Sequence, residues 1–271
     1  ENELISLFSN DSNISAIALY LEEFTDGKEF VTLAQKSKKP IILIAPGSSE
    51  KAKEAISSHT GSLASSFDTT IAAIKKANII YAENSEELFK LMQLIDFNRL
   101  PKGKKIGIVS NAGGPGIIAV DRIEKEGLQV GEIGEKTKQK LLKELPEEAS
   151  INNPVDILGD AKKDRYEIAI KELLDDVSID LVLTILTPQL ITEIEGTAQI
   201  IVDLSKKYSK PIYSCFLGGK DIKSGIRILE ESNLPWFNDI QEALHLTSKI
   251  AEFEEGKLLV RHVDSDELYK K

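Results

Sequence analysis

Lys39-Pro40-Ile41-Ile42 opens an apolar run, Asn78-Ile79-Ile80-Tyr81 opens another, and Ser85-Glu86-Glu87-Leu88 then begins a segment of helical period. The three recur in the same order as Lys210-Pro211-Ile212-Tyr213, Asn233-Leu234-Pro235-Trp236 and Asp239-Ile240-Gln241-Glu242. A pattern written twice at this spacing predicts two domains of one fold. Around the first copy, apolar runs at 15–22, 40–45 and 79–82 read as strands, and amphipathic segments at 30–37, 67–77 and 86–97 read as helices. After the turn-forming Leu100-Pro101-Lys102-Gly103-Lys104 the alternation restarts. Strands are expected at 105–110, 128–131 and 179–186, and helices at 117–126, 135–145 and 166–175. Strands alternating with helices predict parallel α/β sheets. The expected division is a first domain at 1–100, a second at 101–258, and a polar tail or linker at 259–271.

The two copies differ in two places. Pro40 and Asn78 are 78 − 40 = 38 positions apart, whereas Pro211 and Asn233 are 233 − 211 = 22 apart, so the first copy carries 16 additional residues. That insertion brackets His59. It exceeds the usual strand-to-helix connection of about 2 to 6 residues, and such excess more often serves function than packing. The second copy is also preceded by a βαβα stretch at about 104–175, where the first has only residues 1–13. The first domain is therefore expected to be N-terminally truncated, the native protein extending further in that direction and this chain being a fragment or processed piece.

A net charge of −10 and a pI near 5.0 argue against nucleic acid or an anionic membrane as the main partner, since no basic stretch or interleaved aromatics offset them. The single Cys215 excludes an internal disulfide, and no apolar run is long enough for a spanning helix. The cytoplasm is the expected compartment.

His59 lies in Ser57-Ser58-His59-Thr60-Gly61-Ser62-Leu63-Ala64-Ser65-Ser66, read as a small, polar loop between a strand and a helix. Imidazole stays largely neutral and nucleophilic near pH 7, and small neighbours let backbone N–H groups approach a phosphate. His59 is thus a candidate phosphate carrier, and a solvated surface histidine beside a helix cap is the bland alternative. A carrier ring needs a carboxylate to orient it. Glu22 and Glu23, at the carboxyl end of the first strand, lie where ligands gather in open parallel sheets.

In the second copy, Ile106 to Ser110 runs into Asn111-Ala112-Gly113-Gly114-Pro115-Gly116, a glycine-rich strand-to-helix turn suited to holding an anion. Neither a dinucleotide fingerprint nor a P-loop spacing is present. Asn152-Asn153-Pro154-Val155-Asp156 reads as a polar turn presenting an amide and a carboxylate to the same cleft, or capping a helix. Leu186-Thr187-Pro188-Gln189 reads as a strand end opening a helix whose positive end faces an anion. His245, His262 and Cys215 receive no role, and no metal-ligand spacing stands out.

Four of these motifs fall in the order of a known family: Ala18-Leu19-Tyr20-Leu21-Glu22, Ser58-His59-Thr60-Gly61-Ser62-Leu63-Ala64, Ser110-Asn111-Ala112-Gly113-Gly114-Pro115-Gly116 and Asn153-Pro154-Val155-Asp156. The chain resembles the NDP-forming acyl-CoA synthetases, relatives of succinyl-CoA synthetase, over almost its whole length. The resemblance implies two flavodoxin-like parallel-sheet domains of the alpha-type ligase class. It makes His59 the residue phosphorylated between acyl phosphate and nucleotide, and Glu22 the residue that contacts its ring. Thr60, Gly61, Ser62, Gly113, Gly114 and Gln189 would bind phosphate, with Asn111, Asn153 and Asp156 in the substrate cleft. CoA and ATP or ADP with Mg would be bound mainly outside this chain. The partners implied are a CoA-binding domain, an ATP-grasp domain or subunit and a small organic acid, in an oligomer. The sequence departs from the family at Ser65, where glycine is usual, and lacks the basic residue expected near 45–48. Two other readings are a non-catalytic sensor, such as a synthetase-like module fused to a lysine acetyltransferase, and a flavodoxin-like flavin binder.

Overall fold

Each apolar run expected to be a strand forms one in the computed structural model, whose described residues are 1–60, 67–97 and 99–268, with the side chains at 59–60 and 258–268 lying outside them. The chain divides into two units, Glu1–Asn98 with Glu255–Lys271, and Arg99–Glu254.

The first unit runs α1 (Asn2–Ser9), β1 (Ile17–Tyr20), α2 (Gly27–Lys36), β2 (Ile41–Ile44), α3 (Glu50–Thr60), α4 (Phe67–Lys76), β3 (Ile80–Tyr81) and α5 (Ser85–Asp96). Its sheet is parallel, in the order β1-β2-β3, with Ile17 beside Ile41 and Ile42 beside Ile80. Ile5, Phe30, Ile41, Leu43 and Ile74 are buried in its core.

The second unit runs β4 (Lys105–Ser110), α6 (Gly113–Lys125), β5 (Gln129–Val130), α7 (Glu135–Glu144), β6 (Val155–Asp156), α8 (Lys163–Asp175), β7 (Leu181–Leu186), α9 (Ile194–Lys207), β8 (Ile212–Phe216), α10 (Lys223–Glu231), β9 (Trp236–Phe237) and the part of α11 (Ile240–Leu268) up to Glu254. Its parallel sheet has the order β5-β4-β7-β8-β9, with β6 also paired to β4. β7 and β8 are buried at every residue, as parallel strands covered on both faces must be.

The repeat extends to backbone detail. Asn78 and Asn233 both have φ 52°, each ending the helix before the last strand of its sheet. Ile79 N–H donates to Ile74 C=O and Leu234 N–H to Leu229 C=O, both at 3.0 Å, with Asn78 and Asn233 bonded three residues back. This pair of bonds closes a helix through a left-handed residue, a conformation asparagine tolerates. Six residues later Asn84 caps α5 and Asp239 caps α11 through their side-chain oxygens. Thus β1-β2-β3 corresponds to β7-β8-β9, and α4 to α10.

Three expectations change. The insertion between β2 and β3 forms the helix α3, so the backbone of Ser57–Thr60 is helical rather than looped. The segment expected as a tail continues α11 to Leu268 and groups with the first unit, because nothing after Glu242 breaks the helix beyond the lone Gly256. The helix expected to open at Pro188 starts at Ile194 instead.

Candidate functional site

Elements of both units present functional candidates, and each unit is built up separately. In the first, Glu22 follows β1 and is half-buried, its Oε1 accepting from the exposed Tyr20 hydroxyl at 3.4 Å. Beyond β2 the chain turns at Gly47, whose φ of 106° suits glycine, and Ser49 Oγ accepts from Ala52 N–H to start α3. Ile56 is the buried side chain of this helix among the described residues, and a Cβ on Gly47 would lie 3.2 Å from its Cδ1. The backbone of His59 and Thr60 forms its last turn, their side chains lie outside the described residues, and so do Gly61 and Ser62 entirely.

In the second unit, the carboxyl ends of β4, β6 and β7 converge on the opening of α6. Ala112 precedes the first turn, and no side chain caps it. The three glycines there have different surroundings. A Cβ on Gly116 would meet the Pro154 ring at 3.3 Å, and one on Gly113 would lie 3.2 Å from Asp156 Oδ2. At Gly114 nothing lies within 4 Å, so packing does not require glycine there. Asp156 is half-buried, and its Oδ1 accepts from Leu158 N–H at 2.9 Å. Its carboxylate flanks the Gly113 side of the helix opening and leaves the Gly114 side clear.

Asn111 and Asn153 do not offer their amides to a cleft. Asn111 is fully buried, donates from Nδ2 to Thr187 C=O at 2.8 Å, and accepts at Oδ1 from Thr187 N–H at 2.8 Å and Oγ1 at 2.9 Å. It fastens the β4–α6 turn to the end of β7. Asn153 Nδ2 donates to Ile106 C=O at 2.7 Å and Gly131 C=O at 2.8 Å, while its Oδ1 accepts from Ile108 N–H at 2.9 Å. The amide completes backbone pairing at the sheet. Both residues shape the walls because their polar atoms are engaged with buried backbone groups.

Gln189 does not open a helix. Its N–H donates to Thr192 Oγ1 at 2.9 Å and its C=O accepts from Thr192 N–H at 3.1 Å, forming a self-bonded turn ahead of α9. That backbone N–H is already taken, so it is not offered to an anion. The proline signal misled because this turn satisfies the backbone before the helix begins.

The sequence reading missed Thr187 and the turn at 156–165. There Arg165 forks onto Asp160, Nη1 to Oδ1 at 2.6 Å and Nη2 to Oδ2 at 3.1 Å, and Nη1 also donates to Ile157 C=O. The Arg165 bonds hold the Asp160 carboxyl below its ordinary value. Leu158 within this turn has φ 71°. No local pattern marks these residues.

His245 Nδ1 lies 3.1 Å from Glu126 Oε2, joining α11 to α6. Burial pushes the Cys215 thiol up to about 12, far from a reactive thiolate. Among the described residues no group of three or more His, Cys, Asp or Glu side chains is arranged to hold a metal ion, and no helix is long and apolar enough to cross a membrane.

Parallel α/β units with an uncapped glycine opening at the strand ends form a class of fold that receives anions at helix N-termini. Residues 1–95 match the succinyl-CoA ligase like flavodoxin domain and residues 106–244 the ligase-CoA domain. The chain belongs to the succinyl-CoA ligase-like family of ADP-forming acyl-CoA synthetases. It is 33% identical over 255 residues to acetate–CoA ligase (ADP-forming) I of Archaeoglobus fulgidus, covering 93% of this chain and 36% of that protein. It is likewise 33% identical to the alpha subunit of acetate–CoA ligase (ADP-forming) II of Pyrococcus furiosus, covering 87% of this chain and 52% of that subunit. The solved dinucleotide forming acetyl-coenzyme A synthetase 1 of Ca. Korarchaeum cryptofilum, in complex with phosphate and ADP, superposes with a TM-score of 0.90 at 27% identity, over 97% of this chain and 58% of that one. The chain thus spans between about a third and three-fifths of these relatives.

Proposed function

We propose that this chain is the paired ligase-domain segment of an ADP-forming acid–CoA ligase, interconverting acyl-CoA, ADP and phosphate with free acid, CoA and ATP through a phosphohistidine at His59. The observation carrying this reading is the family match over both units, joined to an insertion that gives one copy of the repeat a histidine-bearing helix end and the other none. In the step assigned to this chain, a neutral His59 ring nitrogen attacks the phosphorus of an acyl phosphate. The N–P bond forms as the P–O bond to the acyl carboxylate breaks, and the free acid leaves with that electron pair. The phosphoryl group then passes to ADP.

Glu22 is the candidate to hold the other ring N–H, and Thr60, Gly61 and Ser62 supply small neighbours that let a phosphate approach. Gly113 and Gly114 open α6 without a side-chain cap, and the clear side at Gly114 suits close approach of a phosphoryl oxygen to backbone N–H groups. Asp156 restricts that approach to the Gly114 side. Among the described side chains of α3 only Ile56 is buried, which is consistent with a carrier that moves between sites, a gating role. CoA and the nucleotide with Mg belong to a CoA-binding part and an ATP-grasp part beyond this chain, in a cytoplasmic oligomer. The repeat supports domain limits of 1–100 and 101–258, although α11 runs on beyond the second and its residues from Glu255 group with the first unit.

The test is phosphorylation of the complete enzyme with labelled ATP, followed by acid treatment. The wild type is expected to carry acid-labile label, and His59→Asn to lose it together with turnover. Label retained in His59→Asn refutes the assignment.

A further inference from the structure

The first unit holds a cleft of about 800 Å³ between α2 and α4, a volume suited to a small molecule. Phe24, Val31, Ala72 and Ala73 supply its apolar lining, with Lys28 and Lys76 among its cationic residues. Local contacts order both ends. At one, Gln35 Nε2 donates to Lys76 C=O at 2.9 Å. At the other, the Phe24 ring lies tilted against Phe30 with centroids 4.5 Å apart, and Thr25 is tied to Glu1 through its N–H and hydroxyl.

The repeat explains why space exists here. Counting eight residues back from the left-handed asparagines, Thr70 corresponds to Gly225, since 78 − 70 = 233 − 225 = 8. Gly225 brings α10 against α9: a Cβ there would lie 2.8 Å from Ile194 Cγ2 and 3.0 Å from Phe216 Cε2. Five residues back, Ala73 corresponds to Ile228, which packs on the core of the second unit. The first copy therefore has a spacer where the second has none, and a methyl where the second has a filling side chain.

The charges give the cleft a direction. Asp26, which caps α2, sets a carboxylate at the Lys28 end. Lys76, with Lys75 beside it in the last turn of α4, has no carboxylate of its own element nearby in sequence. From residue 28 to residue 35 α2 rises about 10 Å, enough for a chain of several carbons laid along Val31.

We propose that this cleft binds a medium-chain carboxylate, its anionic head at Lys76 and its alkyl chain running along Val31 and Ala73 toward Phe24. Binding is read without nucleotide or CoA. Octanoate titrated into the full-length protein by calorimetry is expected to give saturable binding, with octanol at least tenfold weaker. Lys76→Glu should weaken octanoate at least tenfold, and Lys28→Glu less than threefold. Ala73→Ile, which copies the filled repeat, should abolish binding with an unchanged circular dichroism spectrum and ligase rate. Absence of saturable octanoate binding in the full-length protein, equal affinity for octanol, or unchanged affinity in both Lys76→Glu and Ala73→Ile would overturn the proposal.

Discussion

Replacing Asn111 by alanine tests the claim that this residue is a fastener between the α6 opening and the end of β7. Its side chain is fully buried and serves Thr187 C=O, N–H and Oγ1. Alanine leaves two backbone groups without their partners, at about 1 to 3 kcal/mol each, while the hydroxyl can rotate toward another acceptor. Thr187 is half-buried, so water reaches part of the gap and the lower half of the range applies. The expected loss is about 3 kcal/mol. The sole tryptophan, Trp236, stands on β9 of the second unit, so its fluorescence in urea follows that unit. The midpoint should fall with the slope unchanged. Asn111→Asp keeps the acceptor, loses the donor and turns a carboxylate toward Thr187 C=O, so it should lose at least as much as alanine. A cycle with Thr187→Val isolates the hydroxyl and should give a coupling of about 1 kcal/mol. A loss below about 1 kcal/mol for Asn111→Ala, or no coupling, would refute the fastening role.

A pair of glycine substitutions separates packing from chemistry. Gly225→Ala should cost about 2 kcal/mol by pressing on Ile194 and Phe216, read as a lower melting temperature. Gly114→Ala should leave melting unchanged or raise it slightly, since the new methyl enters open space, yet lower ligase turnover at least tenfold if a phosphoryl group must approach there. Asp176 gives a pH dependence. Burial alone would raise its carboxyl, but bonds from Ser178, Gly134 N–H and Thr137 outweigh burial and hold it below its ordinary value of 3.8. The folded-state pKa is therefore the lower one, so the stabilisation is full above the ordinary Asp range and is lost as pH falls through the folded-state value. Asp176→Asn should cost about 2 kcal/mol at pH 7, and the gap to wild type should close in urea melts taken below pH 3.8.

The legible parts of the sequence are those fixed by local chemistry. The alternation of apolar runs gave every major strand, and the runs opening at Asn78 and Asn233 marked the same strand in both copies. The glycine turn at 113–116 was visible as an unusual helix opening. What stayed hidden depends on distant partners. Asn111 meets Thr187 across 76 positions and Asn153 meets Ile108 across 45, so nothing beside either residue distinguishes an amide that completes a sheet from one that meets a ligand. Pro188 and Gln189 failed for a different reason, because the hydroxyl of Thr192 closes a turn that competes with helix initiation.

A repeat within one chain supplies its own control, and that is what separates packing from function here. Where the copies agree, as at Asn78 and Asn233 or Asn84 and Asp239, the shared feature is explained by folding, since both units need a helix to stop and another to start. Where they disagree, folding alone is a poor explanation, because the other copy builds the same strand order without the feature. Three disagreements fall in one copy: the helix α3 ending at His59, Thr70 in place of Gly225, and Ala73 in place of Ile228. The last two leave unfilled apolar surface, which a domain under selection for stability alone would close. Restoring the second copy's residues in the first is thus the direct way to separate the two causes. Ala73→Ile should raise the melting temperature if only packing were at stake, and should remove octanoate binding if the space is kept for a ligand.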